Sequence, residues 1–153
     1  MEVKKHHILV AVDESENAGR ALFYVGEMTA SLTNVVITLL HVVREPGPES
    51  VPDRAERDDQ VSRMRARAGK LLEEATAVLA RKGIDQARVQ QKILVSMPPS
   101  TAVDAILEEI RTGHYETVVV GRRGLSRKEE FLFGSVSSRV VHEAKNKAVW
   151  VVE

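Results

Sequence analysis

Gly121 and Gly124, followed after nine residues by Gly134-Ser135, are the residues of this chain best suited to chemistry. They stand between an apolar run, Thr117 to Val120, and a stretch of helical periodicity that opens at Ser135. A buried strand feeding a glycine loop and then a helix N-terminus builds a cradle for phosphate. Glycine lets backbone N–H groups approach phosphate oxygens with no Cβ in the way. The helix start adds four unpaired donors and about half a positive charge. The competing reading is structural: Gly121 and Gly124 shape a turn out of a strand, and Gly134-Ser135 caps a helix. The loop is not of the Walker type, because no G-x-x-x-x-G-K-S/T occurs, and no G-x-G-x-x-G follows a strand.

Other side chains near this loop have two readings each. Asp13 ends the buried run Leu9-Val10-Ala11-Val12, where a carboxylate could bond a ribose hydroxyl or a base edge, or could simply cap the first helix with Ser15. Arg122, Arg123, Arg127 and Lys128 crowd the glycine loop and could neutralise a triphosphate. Glu129 and Glu130 beside them also fit an ordinary solvated loop. Ser135 and Ser137 could offer hydroxyls to phosphate or help hold Mg²⁺. The histidines (His6, His7, His41, His114, His142) lack the i, i+4 spacing or acid clusters of a metal site, and His6-His7 read as exposed. There is no G-x-S-x-G elbow, no Ser-His-Asp order and no evident general base, so fast hydrolysis is poorly supported.

These residues must be held by elements. A chain of 153 residues, 43% hydrophobic and 29% charged, fits one globular domain with a sizeable core. Twenty-two basic and 22 acidic residues cancel, which argues against nucleic acid or an anionic membrane as a generic partner. The absence of cysteine excludes disulfides and thiol chemistry and agrees with a cytoplasmic location. No apolar run approaches 18 residues, and the polar start is not a signal peptide.

Ile8 to Val12 reads as a buried strand, followed by a helix capped by Ser15 with Ala18, Ala21, Leu22, Val25, Met28, Thr29 and Leu32 inward. Val35 to Val43 is a second buried strand. Arg44 to Asp59, with its prolines and charges, reads as an exposed loop, and a second helix runs from about Asp59 to Lys82, stopped by Gly83. Ala87 to Val95 is a strand too polar for a sheet centre and belongs at an edge. Ser100 opens a third helix that Gly113 closes. Thr117 to Val120 and Lys147 to Val152 are the last strands. Strict alternation predicts a three-layer α/β sandwich: a five-stranded parallel sheet, order 3-2-1-4-5, with helices on both faces. Asp13 and Gly121 then meet at the switch point between strands 1 and 4, where open α/β sheets bind ligands. Trp150 lies in the apolar edge strand Ala148–Val152. Such an edge either pairs with a second copy or is shielded within one chain.

Four segments together resemble the universal stress protein family. They are Ile8 to Glu16, Leu39-Leu40-His41-Val42, Gly121-x2-Gly124-x9-Gly134-Ser135-Val136-Ser137, and Ala148 to Val152. The third matches the ATP-binding signature of that family's nucleotide-binding branch. The resemblance spans almost the whole chain. It implies a Rossmann-like domain, similar to the adenine nucleotide alpha hydrolases, that binds ATP or another adenine nucleotide with Mg²⁺ as a candidate companion. It implies a homodimer formed through Ala148–Val152. Asp13 and Val42 would contact the adenosine end, with Ala11 and Val12 as main-chain neighbours. Val120, Gly121, Arg123 and Gly124 would line the ribose and phosphates, and Gly134, Ser135, Val136 and Ser137 would hold the phosphates. Two positions depart from the family pattern. Met97 stands where a glycine is usual and is expected to narrow the crevice, and Ala148 stands where a proline is common. The function implied is a cytoplasmic, ligand-sensing or stress-response module of little or no turnover, with no membrane association and a protein partner that the sequence does not name. The rivals are a slow ATPase or self-kinase, and an interaction protein whose glycine loop is only structural.

Overall fold

Every strand of the computed structural model runs parallel to its neighbours, because each connection between strands carries a helix back across a face of the sheet. The structure describes residues 2–122 and 135–153. The elements are β1 (His6–Ala11), α1 (Glu16–Thr29), β2 (Val35–Arg44), α2 (Arg54–Arg81), β3 (Val89–Ser96), α3 (Ala102–Thr112), β4 (Thr117–Gly121), α4 (Ser135–Glu143) and β5 (Ala148–Val152). The sheet order is β3-β2-β1-β4-β5, as the sequence predicts.

Two cores follow from the alternation of side chains along the strands. Ile8 and Val10 point toward α1 and α2, where Leu22, Val25, Leu72 and Leu79 cover them. Leu9, Leu40, Val118 and Val120 point the other way, under Ile106 and Ile110 of α3 and Val140 of α4. Strands buried on both faces need continuous apolar runs, which is why β1, β2 and β4 were legible. β3 carries Gln90, Gln91 and Lys92 and lies at an edge, as expected.

Several local expectations shift. α2 begins at Arg54, not near Asp59, because Asp53 caps it: Oδ1 accepts from the amides of Ala55 (2.7 Å) and Glu56 (3.2 Å). Leu72 and Leu79 are its fully buried leucines, with Leu71 and Val78 only partly covered. At its C-terminus Gly83 has φ +92 and makes a two-bond turn, Gly83 to the Ala80 carbonyl and Ile84 to the Leu79 carbonyl. Thr101, not Ser100, caps α3. Met28 and Leu32 were expected inward but are exposed, since α1 turns its Ala18–Ala21–Leu22–Val25–Thr29 arc to the core and ends at Thr29. His6 and His7 are half-buried in β1, with the His6 ring hydrogen-bonded to the Thr117 hydroxyl (2.8 Å).

One close approach fixes how α1 seats on the sheet. A Cβ on Gly121 would lie 2.8 Å from both the backbone carbon and oxygen of Asn17. Backbone cannot swing aside as a flexible side chain can, so the end of β4 must be glycine for α1 to sit there. Gly121→Ala is expected to lower the unfolding free energy by about 1–3 kcal/mol. Gly19, in the same helix with open space around its Cβ position, is the control. Gly19→Ala should raise stability by roughly 0.5–1 kcal/mol. Urea unfolding of both variants checks this, and equal effects at the two sites would contradict the packing argument.

Candidate functional site

β1 stops short of the C-terminal ends of the strands beside it. Its ladder with β2 ends at Ala11 opposite Leu40, whereas β2 continues to Arg44 beside β3. Its ladder with β4 ends at Val10 opposite Val119, whereas β4 continues to Gly121 beside β5. The sheet therefore carries a notch at its C-terminal end, over the end of β1 and at the switch point. The notch opens into a crevice of about 210 Å³.

Nine of the residues expected at the site are described, and eight of them line this crevice: Ala11, Val12, Asp13, Val42, Val120, Gly121, Val136 and Ser137. Ser135, the ninth, opens α4. Arg123, Gly124 and Gly134 lie outside the described residues, as do Arg127 and Lys128. Segments more than a hundred residues apart in the chain thus meet at one place.

The backbone geometry of the notch is specific. Successive residues of a parallel strand aim their N–H and C=O groups at alternate neighbours. The Val12 amide donates to the Leu40 carbonyl (2.8 Å), so Leu40 faces β1. The Glu45 amide donates to the Ser96 carbonyl (3.0 Å), so odd-numbered residues of this stretch face β3. Val42 accordingly aims its N–H and C=O toward β1, beyond the point where β1 has ended. The natural partner for that N–H would be the Val12 carbonyl, but the His41 ring takes it: Nδ1–H donates to that oxygen at 2.7 Å. Val42 therefore presents a donor and an acceptor side by side into the crevice.

Asp13 and Ser15 hold the other side. Asp13 Oδ1 accepts from the Ser15 amide (2.8 Å), and the Ser15 hydroxyl accepts from the Ala18 amide (3.2 Å). Ser15 is thus the cap of α1, and Asp13, which holds the amide of that cap, lines the crevice. Arg122 forms an ion pair with Glu153 (3.1 Å). Its main-chain amide donates to the Val152 carbonyl (2.8 Å).

Sequence reasoning missed the wall opposite Val42 and the rim. Ala102 and Ile106 of α3 line the crevice, as do Leu40, His41 and Arg44 of β2. The signal was available for α3, whose N-terminus must lie at the C-terminal end of a parallel sheet. Met97, expected to narrow the crevice, is 62% exposed and does not line it. Among the described residues no group of three or more His, Asp or Glu could hold a metal. The buried acid Glu109 lies elsewhere and is committed to Lys92 (2.8 Å) and the Tyr115 hydroxyl (2.7 Å). Burial, and then that hydrogen bond, push the Tyr115 phenol up to about 12.

The two helices that face the crevice are tied together. Thr101 and Asp104 form a reciprocal capping box at the start of α3. The second oxygen of Asp104 accepts from Arg139 of α4 (2.8 Å). Arg139 also holds Glu143 (3.0 Å).

The sequence matches the model of the universal stress protein family over residues 5–153. Comparison with curated proteins finds no match. Among solved structures, that of the hypothetical protein MJ0577 is 27% identical, with a TM-score of 0.76 over 98% of this chain and 96% of that one. A universal stress protein in complex with cAMP is 23% identical, with a TM-score of 0.71 over 99% of each chain. The universal stress protein of Archaeoglobus fulgidus in complex with dAMP is 22% identical, with a TM-score of 0.63 over 99% of this chain and 100% of that one.

The α3–α4 tie gives a pH signature. The Thr101 amide, then the Arg139 guanidinium and the Thr101 hydroxyl, pull the Asp104 carboxyl down to about 2. A carboxyl depressed in the folded state adds stability above its unfolded pKa of about 3.9 and loses it as pH falls toward the folded value. Asp104→Asn is expected to be less stable than the parent at pH 7, with the gap closing between about pH 4 and pH 2. Thermal melts across that range check it, and a gap that persists at pH 2 would remove charge as the cause.

Proposed function

This chain belongs to the universal stress protein family, and from that premise we propose that its crevice binds an adenine nucleotide, with ATP as the form expected. The observation that carries the reading is Val42. Adenine shows a donor (N6–H) beside an acceptor (N1) on its pairing edge, the complement of one residue's C=O and N–H. Guanine shows the reverse polarity there and would meet donor with donor. The base would lie in the notch against Leu40 and Val42, flanked by Ala102 and Ile106. Ala11, Val12 and Asp13 would border the base and ribose. The phosphates would run past Val120 and Gly121 toward the α4 N-terminus, where Ser135, Val136 and Ser137 would meet them. Arg123, Gly124 and Gly134 would complete that end. Mg²⁺ would arrive with the phosphates.

The family and the two nucleotide complexes support the ligand class. One neighbour was solved with cAMP and another with dAMP, both adenine nucleotides. Little or no turnover fits the crevice: Asp13 is the one carboxylate among its described lining residues, and its Oδ1 already accepts the Ser15 amide. No helix among the described residues is long and apolar enough to cross a membrane. A cytoplasmic sensor with no affinity for nucleic acid or membrane, passing nucleotide occupancy to a protein partner, is the role proposed.

A homodimer through β5 belongs to the same reading. β5 is an edge strand with apolar residues on both faces. Tyr24 packs edge-on against Trp150, centroids 5.7 Å apart, and covers one face. Val151 and the α4 residue Val141 remain exposed on the other. Pairing with a second β5 would satisfy the edge and extend the sheet.

Calorimetry with Mg·ATP, ADP and AMP tests the ligand. Binding is expected to be measurable for the parent protein and lost when Ala102→Trp fills the crevice. Absence of heat with all three at millimolar concentration, in folded protein, would sink the reading. For the dimer, light scattering should give twice the chain mass for the parent and the single mass for Val151→Lys, which places a charge on the edge. A monomeric parent would remove this part of the proposal.

A further inference from the structure

One cation lines the crevice among its described residues, and it is not at the phosphate end. Arg44 closes β2, two residues past Val42. Alternation along the strand sends its side chain to the same face as Leu40 and Val42, the face that α3 covers. The other arginines on this flank are committed: Arg111 to Glu108, and Arg139 to Asp104 and Glu143. Arg44 makes no ion pair or side-chain hydrogen bond with a described residue, although it stands at the mouth of a mainly apolar slot. β1 lies between β2 and β4, so Arg44 stands two strand spacings, roughly 10 Å, from the strand that ends at Gly121. The cation therefore borders the place where a base would lie.

We infer that Arg44 is a base-contacting residue, whose guanidinium closes over the purine that the Val42 backbone holds by its edge. This rests on the adenine-nucleotide reading and deepens it. A guanidinium is planar and weakly hydrated, so it can lie flat on an aromatic face while its rim stays in water. An ammonium in the same place keeps its hydration shell and stacks poorly. Arg44 thus adds affinity that depends on the base and not on the number of phosphates. Val42 then selects which base is held.

The experiment compares adenosine, AMP and ATP by calorimetry on the parent protein, Arg44→Ala and Arg44→Lys. Arg44→Ala is expected to weaken all three ligands by the same factor, about tenfold, and Arg44→Lys to restore little of it. Nuclear magnetic resonance gives a second readout: adenosine should move the Arg44 Nε–H proton upfield through the ring current. A loss confined to AMP and ATP, with adenosine unchanged, would make Arg44 a phosphate contact and overturn the inference. Unchanged affinity for all three would do the same. If the parent protein bound none of the three, the nucleotide reading itself would fail, and this inference with it. Arg44 is exposed, so both variants should melt at the parent temperature.

Discussion

The early end of β1 is the constraint on which the rest of this structure depends. Had the chain continued as a strand past Val12, Val42 would have found its partner and the sheet would have closed flush. Instead the chain turns at Asp13, which holds the Ser15 amide, Ser15 caps the start of α1, and the His41 ring bonds the carbonyl of Val12 just past the strand. The backbone of β1 is thereby satisfied at its end, while β2 and β4 extend past it with groups still to be met. Buried backbone polar groups seldom go without a partner. A notch of this kind is stable only if water or a ligand supplies what the missing strand would have given.

The same residues serve the fold and line the crevice, so some of the alternatives posed by the sequence do not exclude each other. Asp13 is a turn residue and also part of the crevice wall. Gly121 is required by the approach of the Asn17 backbone, a purely structural reason, and it also stands where a phosphate path would begin. A glycine in a phosphate signature therefore need not owe its presence to phosphate alone. The distinction between a structural loop and a binding loop is decided by groups such as Val42, whose direction the fold sets without needing them for its own ladder.

Legibility in the sequence followed burial. β1, β2 and β4 are apolar without interruption because both faces are covered, and Gln90-Gln91-Lys92 betrayed the edge position of β3. The convergence of Asp13 and Gly121 was readable because strand order fixes which ends are neighbours, whereas Val42 and Val136 were reached only through the family resemblance. Cap positions were less so: Ser100 and Thr101 are chemically similar, and only the reciprocal bonds with Asp104 decide between them. The start of α2 was hidden because its first turns are charged on every side, so no periodicity marks them. Arg44 was out of reach, since its place at the crevice depends on how far β2 outruns β1, a matter of register that residue types do not encode.

The end of β4 joins the crevice to the outer edge of the sheet. Gly121 lines the crevice and pairs with Val152 of β5. The next residue, Arg122, bonds the Val152 carbonyl through its amide and Glu153 through its guanidinium. The chain that leaves toward Gly124 and Gly134 therefore departs from a point fixed to the last strand. A ligand drawing on the backbone beyond Gly121 would pull against a residue anchored to β5. Under the proposed dimer, that strand is also where a second copy would pair. Occupancy and assembly would then share two residues, Gly121 and Arg122, with no need for a longer path through the core. The short tie also explains why one segment can carry both a ligand signature and the approach to an edge strand: each needs β4 to run past β1, and a single extension provides for both.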